Sequence, residues 1–143
     1  MFLGRYEHQL EERGRLSIPK KFRAQLENGG VISAGLDGCL FLYPSAKWAS
    51  LIEKVGQLPL TQSDARSFVR SLTYNAVEVE IDSIGRILLP DYLRQLAGIS
   101  AVCVVAGAIE RIEIWAKDRF DTYHGQISAR AEEIAEHLKD AGI

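Results

Sequence analysis

The chain has 143 residues, 47% of them hydrophobic and 25% charged, which is the composition of an ordinary folded protein with one core. Its net charge of −2 does not by itself favour nucleic acid, and its two cysteines fit neither a disulfide framework nor a metal site. No apolar run reaches the roughly 18 residues of a membrane span and no signal peptide opens the chain, so we expect a cytoplasmic protein without cofactor or membrane partner.

The first predicted elements are two short strands, a tight turn between them and a short helix. Residues 6–10 and 15–18 alternate between apolar and polar side chains, which predicts a hairpin. Gly14 supplies the positive φ that its turn needs. Pro19 then opens a helix, because its missing N–H needs no partner in a first helical turn, and the Asn-Gly-Gly run at residues 28–30 ends that helix.

The middle of the chain predicts a second hairpin and two helices. Strands at Val31–Ala34 and Cys39–Tyr43 flank a Gly-Leu-Asp-Gly turn. Ser45 is the expected N-cap of the next helix. The run Thr61-x-x-Asp64 resembles a capping box for a linking helix that extends to about Thr73.

The first motif then returns, so the chain is duplicated. Leu10–Arg23 and Ile81–Arg94 share seven features in one order: an apolar residue, an acid, Gly-Arg, an apolar-x-apolar run, Pro, an apolar residue and Arg. Self-similarity at a fixed offset is typical of repeated structural units. We place the two repeats at residues 5–47 and 76–119. Strands of the second repeat are predicted at residues 77–81, 86–89, 102–106 and 111–115, with a helix from Pro90 to Gly98.

The end of the chain predicts one long amphipathic helix. Its apolar residues recur every three or four positions, as in a heptad stripe, over about 24 residues. They are Phe120, Tyr123, Ile127, Ala131, Ile134, Leu138 and Ala141. Two interpretations stay open: the stripe packs back on its own domain, or it packs on a neighbouring subunit.

Charge is segregated along the chain. Residues 11–23 carry five bases against two acids, residues 82–94 are balanced, and residues 118–140 carry six acids against three bases. Such segregation tells more about partners than the net charge does. It predicts a locally basic first repeat with an acidic tail behind it.

The order of acid, glycine and arginine that the two motifs share has a structural and a functional interpretation. Glu11 with Arg15, and Asp82 with Arg86, can bridge the turn or the other repeat and set how the two copies interlock. Gly14 and Gly85 belong to the same structural motif. In the functional interpretation, the arginines point outward to phosphates and base edges, and a two-stranded ribbon fits the DNA major groove. The structural role is favoured for Arg86, which is nevertheless kept among the candidate DNA contacts.

The other cations of the first copy favour a DNA contact. Arg13 lies at the tip of the predicted hairpin, and Lys20 and Lys21 follow Pro19 in the first turn of a helix. Cations there oppose the helix dipole, which is expected where an anion binds. The candidate DNA-binding residues are Arg13, Arg15, Lys20, Lys21 and Arg86.

For an enzyme the inventory is thin. His8, His124 and His137 are far apart in sequence, and no nucleophile elbow, phosphate-binding loop or metal motif occurs. We therefore expect no catalytic residues, no metal and no small-molecule substrate.

Four runs of the sequence are distinctive: the opening Met-Phe-Leu-Gly-Arg-Tyr-Glu-His, then Glu-Arg-Gly-Arg-Leu-Ser-Ile-Pro, Gly-Leu-Asp-Gly-Cys-Leu-Phe-Leu-Tyr-Pro and the second Asp-Ser-Ile-Gly-Arg-Ile-Leu-Leu-Pro. With them, the chain resembles the MraZ family over essentially its whole length. The resemblance implies two SpoVT/AbrB-type motifs in an α+β, pseudo-twofold, swapped-hairpin barrel that one chain makes alone, with flanking helices and a C-terminal amphipathic helix. This sequence departs from the family's Asp-x-x-x-Arg motif in its first copy, where Glu11 precedes Arg15.

The resemblance also implies a function. It points to a nucleoid-associated regulator that binds short direct repeats in DNA upstream of its own operon, the bacterial division and cell-wall gene cluster, as a ring-like homo-oligomer. Repression is the favoured direction, with activation left open. The alternative is an antitoxin-like module of the same superfamily that sequesters a protein partner; a gel shift separates the two.

Overall fold

The computed structural model describes residues 1–143 and contains eight strands and five α-helices. The strands are β1 (Arg5–Gln9), β2 (Arg15–Ser17), β3 (Gly30–Ala34), β4 (Leu40–Pro44), β5 (Val77–Val79), β6 (Arg86–Leu88), β7 (Val102–Ala108) and β8 (Arg111–Ala116). The helices are α1 (Ser45–Val55), α2 (Ser63–Tyr74), α3 (Asp91–Ala97), α4 (Lys117–Ala129) and α5 (Ala131–His137). None of these helices combines the length and apolar character that crossing a membrane requires.

The two repeats exchange their first strands. Six strands form one antiparallel sheet in the order β1-β7-β8-β4-β3-β5, and β2 and β6 form a separate two-stranded ribbon. Strand β1 pairs with β7 of the second repeat, and β5 pairs with β3 of the first. The α+β class is therefore confirmed. The expected barrel is not closed by backbone hydrogen bonds, because β1 and β5 remain the two edges of the sheet.

The predicted hairpin of residues 6–10 and 15–18 is wrong in its pairing. Both segments are strands, but β2 pairs antiparallel with β6, with Leu16 opposite Ile87. Alternation of apolar and polar residues predicts a strand and its buried face, whereas the choice of neighbouring strand depends on what else lies nearby. Leu16 and Ile87 are both almost fully buried, so pairing across the repeats buries the inner faces of both strands together.

Equivalent residues of the two motifs form much of the core. Leu16, Ile18 and Phe22 of the first copy and Ile87, Leu89 and Leu93 of the second belong to one cluster of 18 buried residues. The Phe22 ring also packs edge-on against the rings of Phe2 and Tyr6. One shared core thus fixes the ribbon and the turns that flank it relative to the main sheet.

The helix starts differ from prediction in detail. The helix after Pro19 is a 3-10 helix, Lys20–Leu26. Ser45 is the first residue of α1 rather than a cap, and its hydroxyl donates to the Asn28 carbonyl at 3.3 Å. Helix α2 begins at Ser63 without any side-chain cap, so the predicted capping box at Thr61 does not form. The residues directly before these two helices, Pro44 (ψ 147°) and Gln62 (ψ 130°), have non-helical backbone angles, so each helix begins at the next residue.

The predicted single terminal helix is broken. Arg130, with φ −117° and ψ 11°, separates α4 from α5. Helix α4 packs on its own domain, since Tyr123 stacks on Trp115 with ring centroids 5.2 Å apart and Phe120 meets the same ring edge-on. Helix α5 has no buried residue. Of the two interpretations of the apolar stripe, packing back on its own domain therefore holds for α4 alone.

Candidate nucleic-acid interface

The interface is built on two equivalent turns, one from each repeat. In the first, the Gly14 N–H donates to the Glu11 carbonyl at 3.2 Å, and the Glu11 N–H donates to the Arg15 carbonyl at 2.8 Å. In the second, Gly85 and Asp82 make the same two bonds at 3.1 and 2.9 Å. Both glycines have positive φ, +76° and +88°, as predicted. The shared motif therefore makes the same backbone loop twice.

The acids of the two turns act differently. Asp82 Oδ1 accepts the N–H of Arg86 at 2.9 Å and of Ile84 at 3.0 Å. The pKa of the Asp82 carboxyl is lowered, mainly because it accepts the Arg86 N–H. The Arg86 side chain and the Ile84 N–H lower this pKa further, whereas partial desolvation raises it. Glu11 accepts no backbone N–H, and its carboxylate instead receives the Ser17 hydroxyl at 3.4 Å. The extra methylene of Glu11 thus leaves the first turn without a side-chain brace.

Four charged groups join the two turns. Arg86 Nε lies 3.0 Å from Asp82 Oδ2, and Arg86 Nη1 lies 3.7 Å from Glu11 Oε1 of the other repeat. Arg15 makes one contact, from Nη1 to Asp82 Oδ2 at 3.7 Å. The side chain of Arg15 is 40% exposed and that of Arg86 25% exposed. Arg86 is therefore the better-held brace, and Arg15 is freer to turn toward a ligand.

The outer face of the β2–β6 ribbon carries both arginines. Leu16 and Ile87 point into the core, so their neighbours along each strand point outward. Arg15 lies opposite Leu88, and Ser17 lies opposite Arg86. The result is a short two-stranded surface with two guanidinium groups on its diagonal. The ribbon predicted from one repeat is in fact shared between both.

The remaining candidate cations have no carboxylate partner. Arg13 is exposed in the first turn in a left-handed conformation, φ +62°, and makes no side-chain hydrogen bond or ion pair within the chain. Lys20 is likewise exposed, and the Lys21 ammonium lies 5.5 Å from the centroid of the Tyr6 ring. No direct contact joins either lysine to the four-charge cluster. At the equivalent positions the second repeat has Ile84, Asp91 and Tyr92, so only the first repeat is basic.

Sequence reasoning missed two further arginines. A Cβ on Gly14 would come within 3.0 Å of Arg94 Cζ, and one on Gly85 would collide with the Arg23 guanidinium. Arg23 Nε also donates to the Ile18 carbonyl at 2.8 Å, and Arg94 pairs with Asp91. Each arginine thus lies over the glycine turn of the other repeat. The available signal was their position as the last residue of both copies of the motif.

Sequence reasoning also missed exposed apolar groups beside the arginines. Ile84 in the second turn and Leu88 on the ribbon are both largely exposed. Exposed apolar side chains next to arginine suit a ligand that presents both apolar and hydrogen-bonding groups, as the base edges in a DNA groove do.

The two cysteines offer no reactive site. Cys39 and Cys103 are buried, and burial raises the pKa of their thiols to about 12 and about 11, so neither offers a reactive thiolate.

The chain matches known proteins along its full length. The family model described as "MraZ protein, putative antitoxin-like" matches it twice, over residues 1–71 and 72–141. A transcriptional regulator MraZ of Pelotomaculum thermopropionicum is 46% identical over 143 residues, which cover 100% of this chain and 99% of the relative. Proteins of the same name from Desulforamulus reducens and Lactiplantibacillus plantarum are each 43% identical over 140 residues, covering 98% of this chain and 99% of the relative.

Proposed function

The chain belongs to the MraZ family, and we propose that it regulates transcription by binding DNA in a sequence-specific manner through the outer face of the β2–β6 ribbon. The family resemblance noted in the sequence is thereby confirmed, together with the duplication. Its relatives carry the name transcriptional regulator, which describes a binding protein rather than an enzyme.

One observation supports the proposal most: the Arg15 side chain is 40% exposed on a two-stranded ribbon, and its one ion-pair contact is to Asp82 at 3.7 Å. A two-stranded ribbon fits the DNA major groove, and arginine makes bidentate hydrogen bonds to guanine. Arg15 is the proposed base-reading residue. Arg86 is proposed to act mainly as the brace that aims it, with Glu11, Gly14, Asp82 and Gly85 forming the turns around both.

The unpaired cations are proposed to contact phosphates. Arg13, Lys20 and Lys21 flank the ribbon on the first-repeat side and have no carboxylate partner in the chain. Cations without an internal partner remain available for the DNA backbone, which supplies most of the sequence-independent affinity. The proposed repeats, residues 5–47 and 76–119, each contribute one ribbon strand.

The proposed target is a set of short direct repeats upstream of the protein's own operon, the division and cell-wall gene cluster, in the nucleoid. One ribbon of three-residue strands reads only a few base pairs, and an isoelectric point near 5.9 gives no general attraction to DNA. Several ribbons held in one homo-oligomer raise the overall affinity by about 10²–10⁴ without new contacts, because each further binding event becomes intramolecular. We therefore propose that a ring-like oligomer is the binding form and that repression is its effect.

A footprint on the DNA upstream of the gene tests the proposal. We expect protected segments that recur about every 10 base pairs, one helical turn apart. A fragment of equal length and composition with shuffled sequence is the control, at the same salt concentration. Equal affinity for the two fragments would show that binding is not sequence-specific.

A second candidate function is an antitoxin-like role, sequestering a protein partner. The description of the matching family favours it. A folded protein that shifts neither DNA fragment in a gel would favour this second function over the first.

A further inference from the structure

The C-terminal segment from Arg130 onward is joined to the rest of the chain through its backbone, where the Arg130 N–H donates to the Ile127 carbonyl of α4 at 3.0 Å. Every hydrogen bond and ion pair of its side chains lies within the segment, as in Arg130–Glu133 and Lys139–Glu136. Ala131, Ile134 and Ala135 lie at positions i, i+3 and i+4 on one face of α5, and Leu138, at i+7, follows directly after the helix as its C-cap. Leu138 is 49% exposed and both alanines are exposed, while Ile134 is partly buried, so most of this apolar face is open.

The same chain carries an apolar groove between the end of α1 and α2. Its volume is about 310 Å³, and its apolar lining includes Val55, Leu58, Leu60 and Val69. Leu60 is 80% exposed. One wall is held firmly, because the buried Ser33 hydroxyl donates to the Leu72 carbonyl of α2 at 2.8 Å. That bond ties the α2 wall of the groove to β3, whereas Leu58 and Leu60 lie in the loop between α1 and α2.

The charges around the groove and the helix are opposite. Arg66 and Arg70 line the groove, and residues 45–76 carry four bases against two acids. Residues 131–143 carry four acids against one lysine. Among those acids, Glu132 flanks the apolar face of α5 and has no partner in its own chain. Arg70 likewise makes no ion pair or side-chain hydrogen bond.

We propose that α5 of one subunit docks into the α1–α2 groove of a second copy of this chain. An amphipathic helix with apolar anchors at i, i+3, i+4 and i+7 is the usual ligand of an apolar groove. The apolar face meets Leu58 and Leu60, and Glu132 pairs with Arg70. Because helix and groove are different surfaces, the contact is heterologous, and its repetition gives a closed ring or an open filament.

This inference rests on the oligomer of the proposed function and names the contact that builds it. The Arg130 break matters here, since it separates the docking helix from α4, which stays on its own sheet. The groove and the DNA-facing ribbon are formed by different elements, so assembly leaves Arg15 free for DNA.

A charge swap tests the contact in the full-length chain, with molar mass measured by light scattering after size exclusion. Arg70→Glu and Glu132→Arg should each lower the mass from a multiple of 15.9 kDa toward 15.9 kDa at the same protein concentration. The double variant should recover the wild-type mass, because the swapped charges again attract. Failure of the double variant to recover, or unchanged mass in both single variants, would overturn the pairing.

Apolar variants provide a second, independent readout. Leu60→Asp and Leu138→Asp should both dissociate the oligomer, and circular dichroism should be unchanged because both side chains are exposed. Leu36→Asp is the matched control, since Leu36 is an exposed leucine in a neighbouring groove beside Phe68. Dissociation by Leu36→Asp but not by Leu60→Asp would overturn the choice of groove, and a monomeric wild type would overturn the contact altogether.

The footprint separates this inference from the proposed function. Wild-type protein that protects its repeats while the groove variants stay oligomeric would reject the docking contact and leave DNA binding standing. The opposite result is a wild type that is oligomeric and is dissociated by Leu60→Asp but protects no DNA. It would reject DNA binding and leave the docking contact standing.

Discussion

Arg15 and Arg86 hold equivalent positions in the two repeats, and their carboxylate contacts differ. Arg86 has a 3.0 Å contact to Asp82 and a second contact to Glu11, whereas Arg15 has one contact at 3.7 Å. An arginine that contacts two carboxylates loses more interaction energy when it moves to a ligand than an arginine with a single long contact does. The two arginines should therefore respond differently to substitution.

Arg15→Ala should abolish specific DNA binding and leave the fold intact. Loss of one base-reading arginine costs about 1–3 kcal/mol per site, and several sites in one oligomer multiply the effect. A gel shift with the upstream fragment measures it, and Lys54→Ala, which removes an exposed cation far along the chain in α1, is the control. A folded Arg15→Ala variant that shifts this fragment normally would contradict the assignment of Arg15.

Lys20→Ala and Lys21→Ala should weaken binding to any DNA sequence alike. Both lysines are exposed and lack a carboxylate partner, which leaves them available for the phosphate contacts proposed above. Losing one phosphate contact lowers the slope of log affinity against log salt by about 1. Titrations at several salt concentrations measure this slope on specific and shuffled DNA. A changed sequence preference would argue for a base contact instead.

At the scale of the elements, the two turns differ in how their acid reaches the backbone. Asp82 braces its turn by accepting two N–H groups, whereas Glu11, one methylene longer, accepts none. The short side chain of aspartate suits this turn because it can reach the N–H two residues ahead. The first turn, with Arg13 at positive φ, is therefore the less constrained of the two.

Glu11→Asp should stabilise the protein, and Asp82→Glu should destabilise it. Each backbone hydrogen bond that the shortened carboxylate at position 11 gains is worth about 0.5–1.5 kcal/mol. Urea denaturation of the two variants and the wild type measures the change. The changes in stability of the two variants need not be equal in size. A loss of stability in Glu11→Asp would show that the longer side chain is needed for its contact with Arg86.

The contribution of Asp82 should depend on pH. Its folded pKa is lowered below the ordinary 3.8 by the Arg86 and Ile84 N–H groups, so the charged carboxylate stabilises the fold. That stability is present above pH 3.8 and is lost as the pH falls through the lower folded pKa. Urea midpoints of wild type and Asp82→Ala should therefore differ at pH 7 and converge in strong acid. A constant difference across that range would show that the carboxylate charge is not the cause.

At the scale of the whole molecule, the proposed binding by an oligomer predicts a dependence of affinity on the spacing of the DNA repeats. Successive ribbons of a rigid oligomer meet the same face of DNA only when the repeats are one helical turn apart, about 10 base pairs. Lengthening one spacer by about half a turn should therefore reduce affinity far more than lengthening it by a full turn. Gel shifts on the two altered fragments measure this. Equal losses would contradict binding by a rigid multi-subunit face.

The sequence by itself determined the duplication, the α+β class, the strands, and the glycine turns with their positive φ. These follow from local chemistry: alternation marks a buried face, and Gly14 and Gly85 are the residues that such turns tolerate. It also singled out Arg15 and Arg86, because the motif repeats them.

Only the tertiary structure decided which strands pair. Leu16 can bury its side chain against many apolar neighbours, and its pairing with Ile87 of the other repeat depends on contacts 71 positions away. That exchange puts Arg15 and Arg86 on one ribbon, shares Asp82 between them, and lays Arg94 and Arg23 over the glycines. The break at Arg130 was equally invisible, because the apolar stripe continues through it while only α4 finds a surface to cover. Local sequence patterns thus determine which residues form each strand or helix. The candidate DNA-binding site depends instead on which distant parts of the chain each strand or helix packs against.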